Sequence, residues 1–374
     1  MMATMNIQDN KCIYEDIMRK KYSNVKMCRL IIMAIAVLNL FGCSDKKEES
    51  TQQQEENIEY LSITETYEDY SGTMLSNVNL INLEGNGVND TRVHTVEYAS
   101  QYPLTVYDKQ NDIIYYSERV YVDDDYGDQL FSYNIETKES VQLTDNIYAI
   151  NYIYPVGDYI YMLGAMQNTH YLTIMKYDLN TKEFSVFDND SKWNFDLLIY
   201  DVYGDRLYAT ACDAKEEEDC RESYNSRPEE EYDDNYVPPD YTIFEFGSDF
   251  YNPKQILHTE NKYIRRIGAT PDNRLFVTFA DTLPVMNPTY ESHYLDLKTD
   301  KLEDAPDIDN AAYVTEFVYF FPDDSKIYFI GADPESDIRG LCSYDTESKI
   351  VKLLYKSDVG YINNCSMLKE NVVN

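Results

Sequence analysis

The chain has 374 residues, and its 67 aspartates and glutamates outnumber its 32 lysines and arginines, which gives a net charge of −35 near neutral pH. A field of this sign repels nucleic acid and anionic lipid head groups, so neither is expected as a partner. Residues 1–42 hold more basic than acidic side chains, so the acidic excess belongs to the rest of the chain.

An apolar run extends from Leu30 to Gly42 and stops at Cys43. A helix that crosses a bilayer needs about 20 apolar residues, so this run is too short to span one. Basic residues 19–21 precede it, and a basic segment followed by a short apolar segment is typical of a signal peptide. Residues 1–42 are therefore predicted to be a signal peptide, with the true start predicted near Met18.

The segment Leu40-Phe41-Gly42-Cys43 resembles the lipobox of bacterial lipoproteins, in which an aliphatic, a variable and a small residue precede a cysteine. The resemblance implies cleavage before Cys43, lipidation of its thiol, and a lipid-anchored, extracytoplasmic location at the cell membrane or outer envelope. An uncleaved anchor or a core strand is the alternative. Residues 43–57 are charged and rich in glutamine, which predicts a flexible tether after the lipidated cysteine.

A two-part pattern occurs five times downstream. Its first part is a polar turn followed by a strand rich in Ile, Tyr and Phe, and its second part is a strand, a short polar turn and another strand, which is a hairpin. The first part lies at 111–119, 157–165, 204–212, 272–280 and 324–332. The second part lies at 130–143, 174–187, 243–257, 292–305 and 341–354.

The spacing of the repeats identifies the architecture. Asp112 and Asp158 are 46 residues apart, and Asp158 and Asp205 are 47 apart. A period of about 40 to 50 residues that holds four short strands is the signature of a β-propeller blade, with strands A to D counted from the ring centre outwards.

The two ends of the repeat region complement each other. Residues 74–93 have the form of a C–D hairpin without its A and B partners, and residues 361–374 look like strand A and the opening of strand B. A ring closed by strands from both termini has no free sheet edge. We therefore predict an all-β propeller over residues 58–374 with six four-stranded blades, and seven blades as the alternative.

The segments 269–280 and 320–332 resemble the TolB-type β-propeller repeat. Pro271-Asp272 and Pro322-Asp323 match its Pro-Asp turn, and Asn273 and Asp324 stand where the family usually has glycine. The resemblance implies a propeller, often six-bladed, in an envelope protein that frequently works by binding other proteins. It does not imply a catalytic site.

The residue patterns of common active sites are missing from the sequence. The histidines, at 94, 170, 258 and 293, include no pair with metal-ligand spacing, and the chain has neither a Gly-x-Ser-x-Gly elbow nor a glycine-rich phosphate loop. No catalytic residue and no cofactor are predicted, and a metal remains an open question. Enzymatic activity is not the favoured interpretation, although a lyase or hydrolase built from channel carboxylates is a remaining alternative.

An acidic insert at 213–240 lies between two strands of the third repeat. It is predicted to be a long loop on one face of the ring, either simply solvated or used to dock a partner or attract a cation. The candidate oxygen donors are Glu229, Glu230, Glu231, Asp233 and Asp234. Cys212 and Cys220 flank the start of the insert and could form a disulfide outside the cytoplasm, or they could be buried free thiols.

These features lead to one functional expectation and one alternative from another class. The expectation is a lipid-anchored propeller that binds or scaffolds another envelope protein, touching the membrane through its N-terminal lipid alone. The alternative is binding of a glycan or small molecule through aromatic side chains of the central channel, since the chain contains 37 tyrosines.

Overall fold

The computed structural model describes residues 55–373, except 85–86, 98–99, 123–124, 170, 188–191, 228–235, 248–249, 284–287 and 323–324. Within these ranges the chain forms six antiparallel sheets of four strands each. The sheets are the blades of a six-bladed β-propeller, which confirms the predicted fold class.

The strands are numbered in chain order, and the first three belong to the blade that closes the ring, blade 6. They are β1 (Glu55–Glu68), β2 (Met74–Glu84) and β3 (Gly87–Glu97). Blade 1 consists of β4 (Thr105–Asp108), β5 (Ile113–Val122), β6 (Asp125–Asn134) and β7 (Ser140–Gln142). Blade 2 consists of β8 (Ile147–Val156), β9 (Tyr159–Met166), β10 (Leu172–Asp178) and β11 (Phe184–Val186).

The remaining blades follow the same order from the ring axis outwards. Blade 3 consists of β12 (Trp193–Asp201), β13 (Arg206–Asp213), β14 (Tyr241–Phe246) and β15 (Lys254–Thr259). Blade 4 consists of β16 (Tyr263–Ala269), β17 (Arg274–Ala280), β18 (Tyr290–Asp296) and β19 (Lys301–Asp304). Blade 5 consists of β20 (Tyr313–Tyr319), β21 (Lys326–Ala332), β22 (Arg339–Asp345) and β23 (Val351–Tyr355), and β24 (Tyr361–Val373) completes blade 6.

Strand B is the most deeply buried strand of the typical blade. Every residue from Leu275 to Ala280 in β17, and from Ile327 to Ala332 in β21, is buried. A strand covered on both sides by neighbouring blades has no polar side, so its sequence is a continuous apolar run rather than an alternation. This burial explains why the B strands gave the clearest repeat in the sequence.

Blade 6 is closed by strands from both ends of the propeller. The last strand, β24, is its strand A, and it pairs along β1 from Glu55–Val373 to Thr66–Tyr361. The prediction that 74–93 form a C–D hairpin is confirmed, because β2 and β3 occupy those positions. The prediction that 361–374 also opens strand B is wrong, since β1 supplies the whole of that strand.

Buried polar side chains explain why β1 was difficult to recognise. Ser62, Thr64 and Thr66 are buried although they are hydrophilic. Thr64 donates to the carbonyl of Thr105 at 3.0 Å, and the backbone N–H of Tyr107 donates to Ser62 Oγ at 2.9 Å. These bonds join blade 6 to blade 1 and satisfy the buried groups, so the strand needs no apolar alternation there.

The antiparallel order gives the ring two distinct faces. In a four-stranded meander the A–B and C–D turns lie at one end, and the B–C turns and the D–A connections between blades lie at the other. We call the first end the lower face and the second the upper face. Strand β1 is a B strand, so the polypeptide enters the propeller at the lower face, at Glu55.

The acidic insert contains a helix, α1 (Ala214–Asn225), on the upper face between β13 and β14. Asp213 caps its N-terminus by accepting hydrogen bonds from the N–H groups of Lys215 and Glu216. The prediction of a loop is therefore wrong for this part of the insert. Within the described ranges, no helix combines the length and the apolar character that crossing a bilayer would require.

Candidate functional site: the channel and the upper face

Five of the six inner strands depart from regular pairing in the half that approaches the upper face. Register shifts occur in β8, β12, β16, β20 and in the pairing of β24. The residues at these irregularities are Asn151, Asp196, Arg265, Glu316 and Asn363. A bulge re-aims a side chain, and here each one places a polar residue in an otherwise apolar strand.

These side chains form a polar entrance to the channel. Arg265 Nη2 lies 3.6 Å from Glu316 Oε2, and the hydroxyl of Tyr263 donates to Asp196 Oδ2 at 2.5 Å. Arg265 Nε and the Oδ1 atoms of Asn151 and Asn363 are buried without a hydrogen-bond partner. Burial raises the pKa of Asp196, and the bond from Tyr263 and the charge of Arg265 offset this only in part.

Sequence reasoning missed this entrance, although a signal was present. Each of these strands contains a polar residue inside an apolar run, as in "YIRRIGA" of β16 and "YVTEFVY" of β20. A polar residue in an apolar inner strand marks a bulge only once the strand is known to be strand A. The repeat pattern located the B strands and the C–D hairpins, and it left the A strands less well defined.

Aromatic side chains close the channel below the entrance. The rings of Tyr152 and Phe317, from the opposite blades 2 and 5, lie 6.4 Å apart, so they meet across the ring centre. The hydroxyl of Tyr319 donates to the carbonyl of Cys365 at 2.5 Å. The cavity left at the channel centre measures about 30 Å³, and a cavity of about 10–15 Å³ on this measure already holds one water, so the space suits a few water molecules at most. A sugar ring does not fit there.

The lower mouth of the channel is wider and polar. A concavity of about 720 Å³ is lined by the A–B turns of blades 1 to 3 and by the end of β24. Lys369 of β24 pairs with Asp205 of the opposite blade 3, and the hydroxyl of Tyr200 donates to the same carboxylate at 2.6 Å. Burial alone would raise the pKa of Asp205, but the bonds from Lys369 and Tyr200 lower it below its usual value.

Exposed tyrosines are concentrated on the upper face. We call six of them the tyrosine arc: Tyr70, Tyr102, Tyr121, Tyr126, Tyr313 and Tyr361. Tyr70 lies in a B–C turn and Tyr102 in a D–A connection, Tyr121 and Tyr126 are paired at the upper ends of β5 and β6, and Tyr313 and Tyr361 are the first residues of inner strands. The exposed fraction of the side chain is 71% for Tyr121, 64% for Tyr313 and 52% for Tyr361.

Ring contacts connect the blade 1 part of the arc to blade 2. The rings of Tyr121 and Tyr126 lie 6.0 Å apart, the ring of Tyr126 lies 6.0 Å from that of Tyr148 in blade 2, and Arg119 stacks over Tyr126 at 4.8 Å. The hydroxyl of Ser117 in blade 1 donates to the carbonyl of Tyr102, which brings the connection from blade 6 into the same group. This packing holds large amphipathic rings in place at the surface.

Side-chain contacts fix part of the acidic insert to the ring. Asn194 donates to Glu217 Oε2 at 2.6 Å, and the N–H of Asp240 donates to Glu216 Oε1 at 3.1 Å. Tyr236 is buried, and its carbonyl accepts from Thr282. The candidate cation donors Glu229, Glu230, Glu231, Asp233 and Asp234 lie outside the described residues.

The cysteines and histidines that the structure describes occupy ordinary structural positions. Cys212, which is buried in β13, and Cys220, which lies on α1, are both free thiols here, so their disulfide stays a prediction. His94 stacks on Tyr133 with ring centroids 4.4 Å apart, and His258 and His293 each lie near one aspartate. Among the described residues, no group of three or more His, Cys, Asp or Glu side chains is arranged to hold a metal ion.

Solved structures share the fold defined by these blades. The chain is similar to TolB from Acinetobacter baumannii, with a TM-score of 0.52 and 12% identity over 83% of this chain and 66% of that one. It is also similar to a chain of a nidogen/laminin complex, with a TM-score of 0.50 and 10% identity over 83% of this chain and 98% of that one. Identities this low show the fold alone. The propeller domain of the trilobed protease from Pyrococcus furiosus aligns with a TM-score of 0.47 and 13% identity over 80% of this chain and 86% of that one.

The class of the protein follows from the ring itself. It is a six-bladed β-propeller with a closed channel, and the expected likeness to TolB holds at the level of the fold. No protein-family model and no curated protein matches the sequence.

Proposed function

We propose that the protein is a lipid-anchored, extracytoplasmic propeller that binds another protein in the bacterial cell envelope. The observation that carries this proposal is the tyrosine arc, a set of six exposed aromatic side chains on one face of the ring. Monomeric proteins rarely expose large apolar patches unless the patch serves an interaction. Tyrosine is enriched at protein interfaces because its ring supplies apolar contact area and its hydroxyl a hydrogen bond.

The channel supports a surface-binding function rather than an internal site. Its centre is filled by Tyr152 and Phe317, and the cavity there is about 30 Å³. The glycan alternative, which requires open channel aromatics, gains no support from this arrangement. The lower mouth is large enough for a small molecule, but an ion pair already spans it.

The anchor is supported by the sequence before the propeller. The apolar run at 30–42 is followed by Cys43 and by a polar segment that leads to β1 at Glu55. The eleven residues from 44 to 54 reach at most about 40 Å when fully extended. A lipid on Cys43 would therefore hold the ring close to the membrane surface.

The test is a comparison of wild type with Cys43→Ala in intact cells. Wild-type protein should sediment with membranes and carry a fatty acyl mass on its N-terminal peptide, and chemical cross-linking should capture an envelope protein. Cys43→Ala should lose membrane retention and keep its melting temperature, because the residue lies before the propeller. Cys220→Ala is the matched control and should remain membrane-bound.

Two outcomes would contradict the proposal separately. A soluble wild-type protein with no acyl mass would contradict the anchor. Capture of no protein by the membrane-bound wild type would contradict the binding function, and the lower mouth should then be screened against glycans.

A further inference from the structure

The electrostatic character of the upper face indicates what kind of protein would bind it. Its B–C connections carry more acids than bases: Asp333, Glu335 and Asp337 accompany Arg339 in blade 5, and Glu68 and Asp69 have no basic neighbour in the turn of blade 6. Helix α1 contains five acids against one lysine and one arginine, and its last turn has no basic residue. The rim around the tyrosine arc is therefore negative.

The lower face differs in degree of charge and in exposed apolar area. Four of its C–D turns pair acids with lysine, at Lys138, Lys182, Lys298 and Lys349, whereas A–B turns such as the one at Asp158 carry an acid alone, so its acidic excess is smaller. The exposed large apolar side chains at this end are fewer and lie apart, on separate blades: Val141, Tyr251, Leu302 and Ile350. The two properties that favour an interface, exposed aromatic area and the larger acidic excess, thus coincide on the upper face.

The described chain enters the ring at the opposite, lower face. Strand β1 begins at the lower end of blade 6, where Glu55 pairs with Val373. The proposed tether therefore joins the ring at the lower face, and the first residues of the inner strands, among them Tyr313 and Tyr361, stand at the other end.

We propose that the upper face docks a folded protein through a basic surface, with the tyrosine arc supplying contact area and the acidic rim supplying attraction. This inference rests on the proposed function and names its surface and the chemistry of its partner. Opposite charges across an interface raise the association rate and exclude partners of the wrong sign. A second copy of this chain would place two negative faces together, and phosphates of nucleic acid or anionic lipids would be repelled.

The test places a photo-cross-linking residue on each face of the full-length protein in intact cells. Tyr121→p-benzoylphenylalanine and Tyr361→p-benzoylphenylalanine report on the upper face, and Leu302→p-benzoylphenylalanine and Ile350→p-benzoylphenylalanine report on the lower face. The two upper positions should capture the same protein, and the two lower positions should not.

The captured protein is then purified and its affinity measured. Tyr121→Ala and Tyr361→Ala should each raise the Kd about fivefold or more, because each removes an aromatic contact from the interface. Tyr251→Ala, an equally exposed tyrosine of the lower face, should leave the Kd unchanged. Binding should weaken between about 0.01 M and about 1 M salt, over which the Debye length falls from about 30 Å to about 3 Å.

The outcomes separate this inference from the proposed function. Capture from the lower positions alone, or a captured partner whose affinity does not depend on salt, would overturn the inference and leave protein binding intact. Capture of nucleic acid or lipid at the upper positions would also overturn it. Capture of no protein from any of the four positions would overturn both.

Discussion

The two faces of the ring differ in how their connections are built. On the lower face, four C–D turns repeat one design: the first residue accepts hydrogen bonds from backbone N–H groups two or three positions on, and the fifth residue has a positive φ. The first residues are Asn134, Asp178, Asp296 and Asp345, and the fifth are Lys138, Lys182, Asp300 and Lys349. Among the described connections of the upper face this design occurs once, at Asp333 and Asp337 in blade 5, and the other connections do not repeat it.

The difference indicates that the connections of the lower face are constrained by folding, whereas those of the upper face can vary and form a binding surface. Asx-type turns close antiparallel strands in a fixed geometry, so a repeated turn serves every blade equally. A helix, bulged strands and exposed tyrosines on the other face contribute little to closing hairpins. Loops that vary on a regular scaffold are the usual location of binding surfaces.

The largest loss of stability that we expect from a single substitution concerns Arg266, an arginine buried beneath the upper face. Arg266 is 0% exposed; its Nη2 lies 2.9 Å from Asp309 Oδ1, and its Nε and Nη2 donate to the carbonyls of Thr315 and Val314. Arg266→Met leaves a carboxylate and two carbonyls without their donor. We expect a loss of about 3–5 kcal/mol in the free energy of unfolding, measured in urea.

The matched control is an arginine on the lower face. Arg274 pairs with Asp272 at 2.7 Å, and its side chain is partly exposed. Because solvent screens such a pair, Arg274→Met should cost about 1 kcal/mol or less. If Arg266→Met and Arg274→Met lost equal stability, the buried pair of Arg266 and Asp309 would stabilise the contact between blades 4 and 5 no more than an exposed pair does.

Arg266 also illustrates what the sequence could and could not predict. The repeat period, the hairpins and the number of blades follow from turn residues and apolar runs, which are local. In the "RR" of β16, Arg266 is buried because it pairs with Asp309, 43 positions away, and a bulge turns the neighbouring Arg265 to a different environment. Such a pairing is visible only after neighbouring blades are in place.

The candidate surface was less predictable than the fold for a related reason. Tyr60 and Tyr115 are fully buried, whereas Tyr121 and Tyr361 are exposed, and all four occur in strands of similar composition. Burial is decided by which face and which end of a blade a residue occupies. The tyrosine count therefore indicated aromatic packing, but it could not separate core residues from surface residues.

A second prediction compares carboxylates at the two ends of the channel. Burial raises the pKa of Asp196 at the upper entrance, so its charged form destabilises the folded protein. Asp196→Asn should therefore be more stable than wild type at neutral pH. As the pH falls towards the raised pKa, the folded wild type takes up a proton and this advantage should shrink.

Asp205 at the lower mouth should behave in the opposite way. Its carboxylate is largely exposed; partial desolvation would raise its pKa, but the bonds from Lys369 and Tyr200 lower it, so its charged form stabilises the fold. Asp205→Asn should be less stable than wild type at neutral pH, and the deficit should disappear as the pH falls through the lowered pKa. Thermal melts across the acidic pH range would measure the stability of each variant relative to wild type. If the stability differences of Asp196→Asn and Asp205→Asn changed with pH in the same direction, the opposite pKa shifts of the two carboxylates would be contradicted.

The smallest effect concerns the repeated turns of the lower face. Lys182 has a φ of 61° and Lys138 a φ of 61°, a left-handed conformation that costs a residue with a Cβ about 1–2 kcal/mol. Glycine adopts this conformation without that cost but loses more entropy on folding. Lys182→Gly should therefore stabilise the protein by about 0.5 kcal/mol, and Lys138→Gly should match it because the two turns are built alike. If urea titrations gave different changes in the free energy of unfolding for Lys182→Gly and Lys138→Gly, the two turns would not be equivalent despite their shared geometry. Lys182→Gly should also leave binding at the upper face unchanged, because the substitution lies at the other end of the blade.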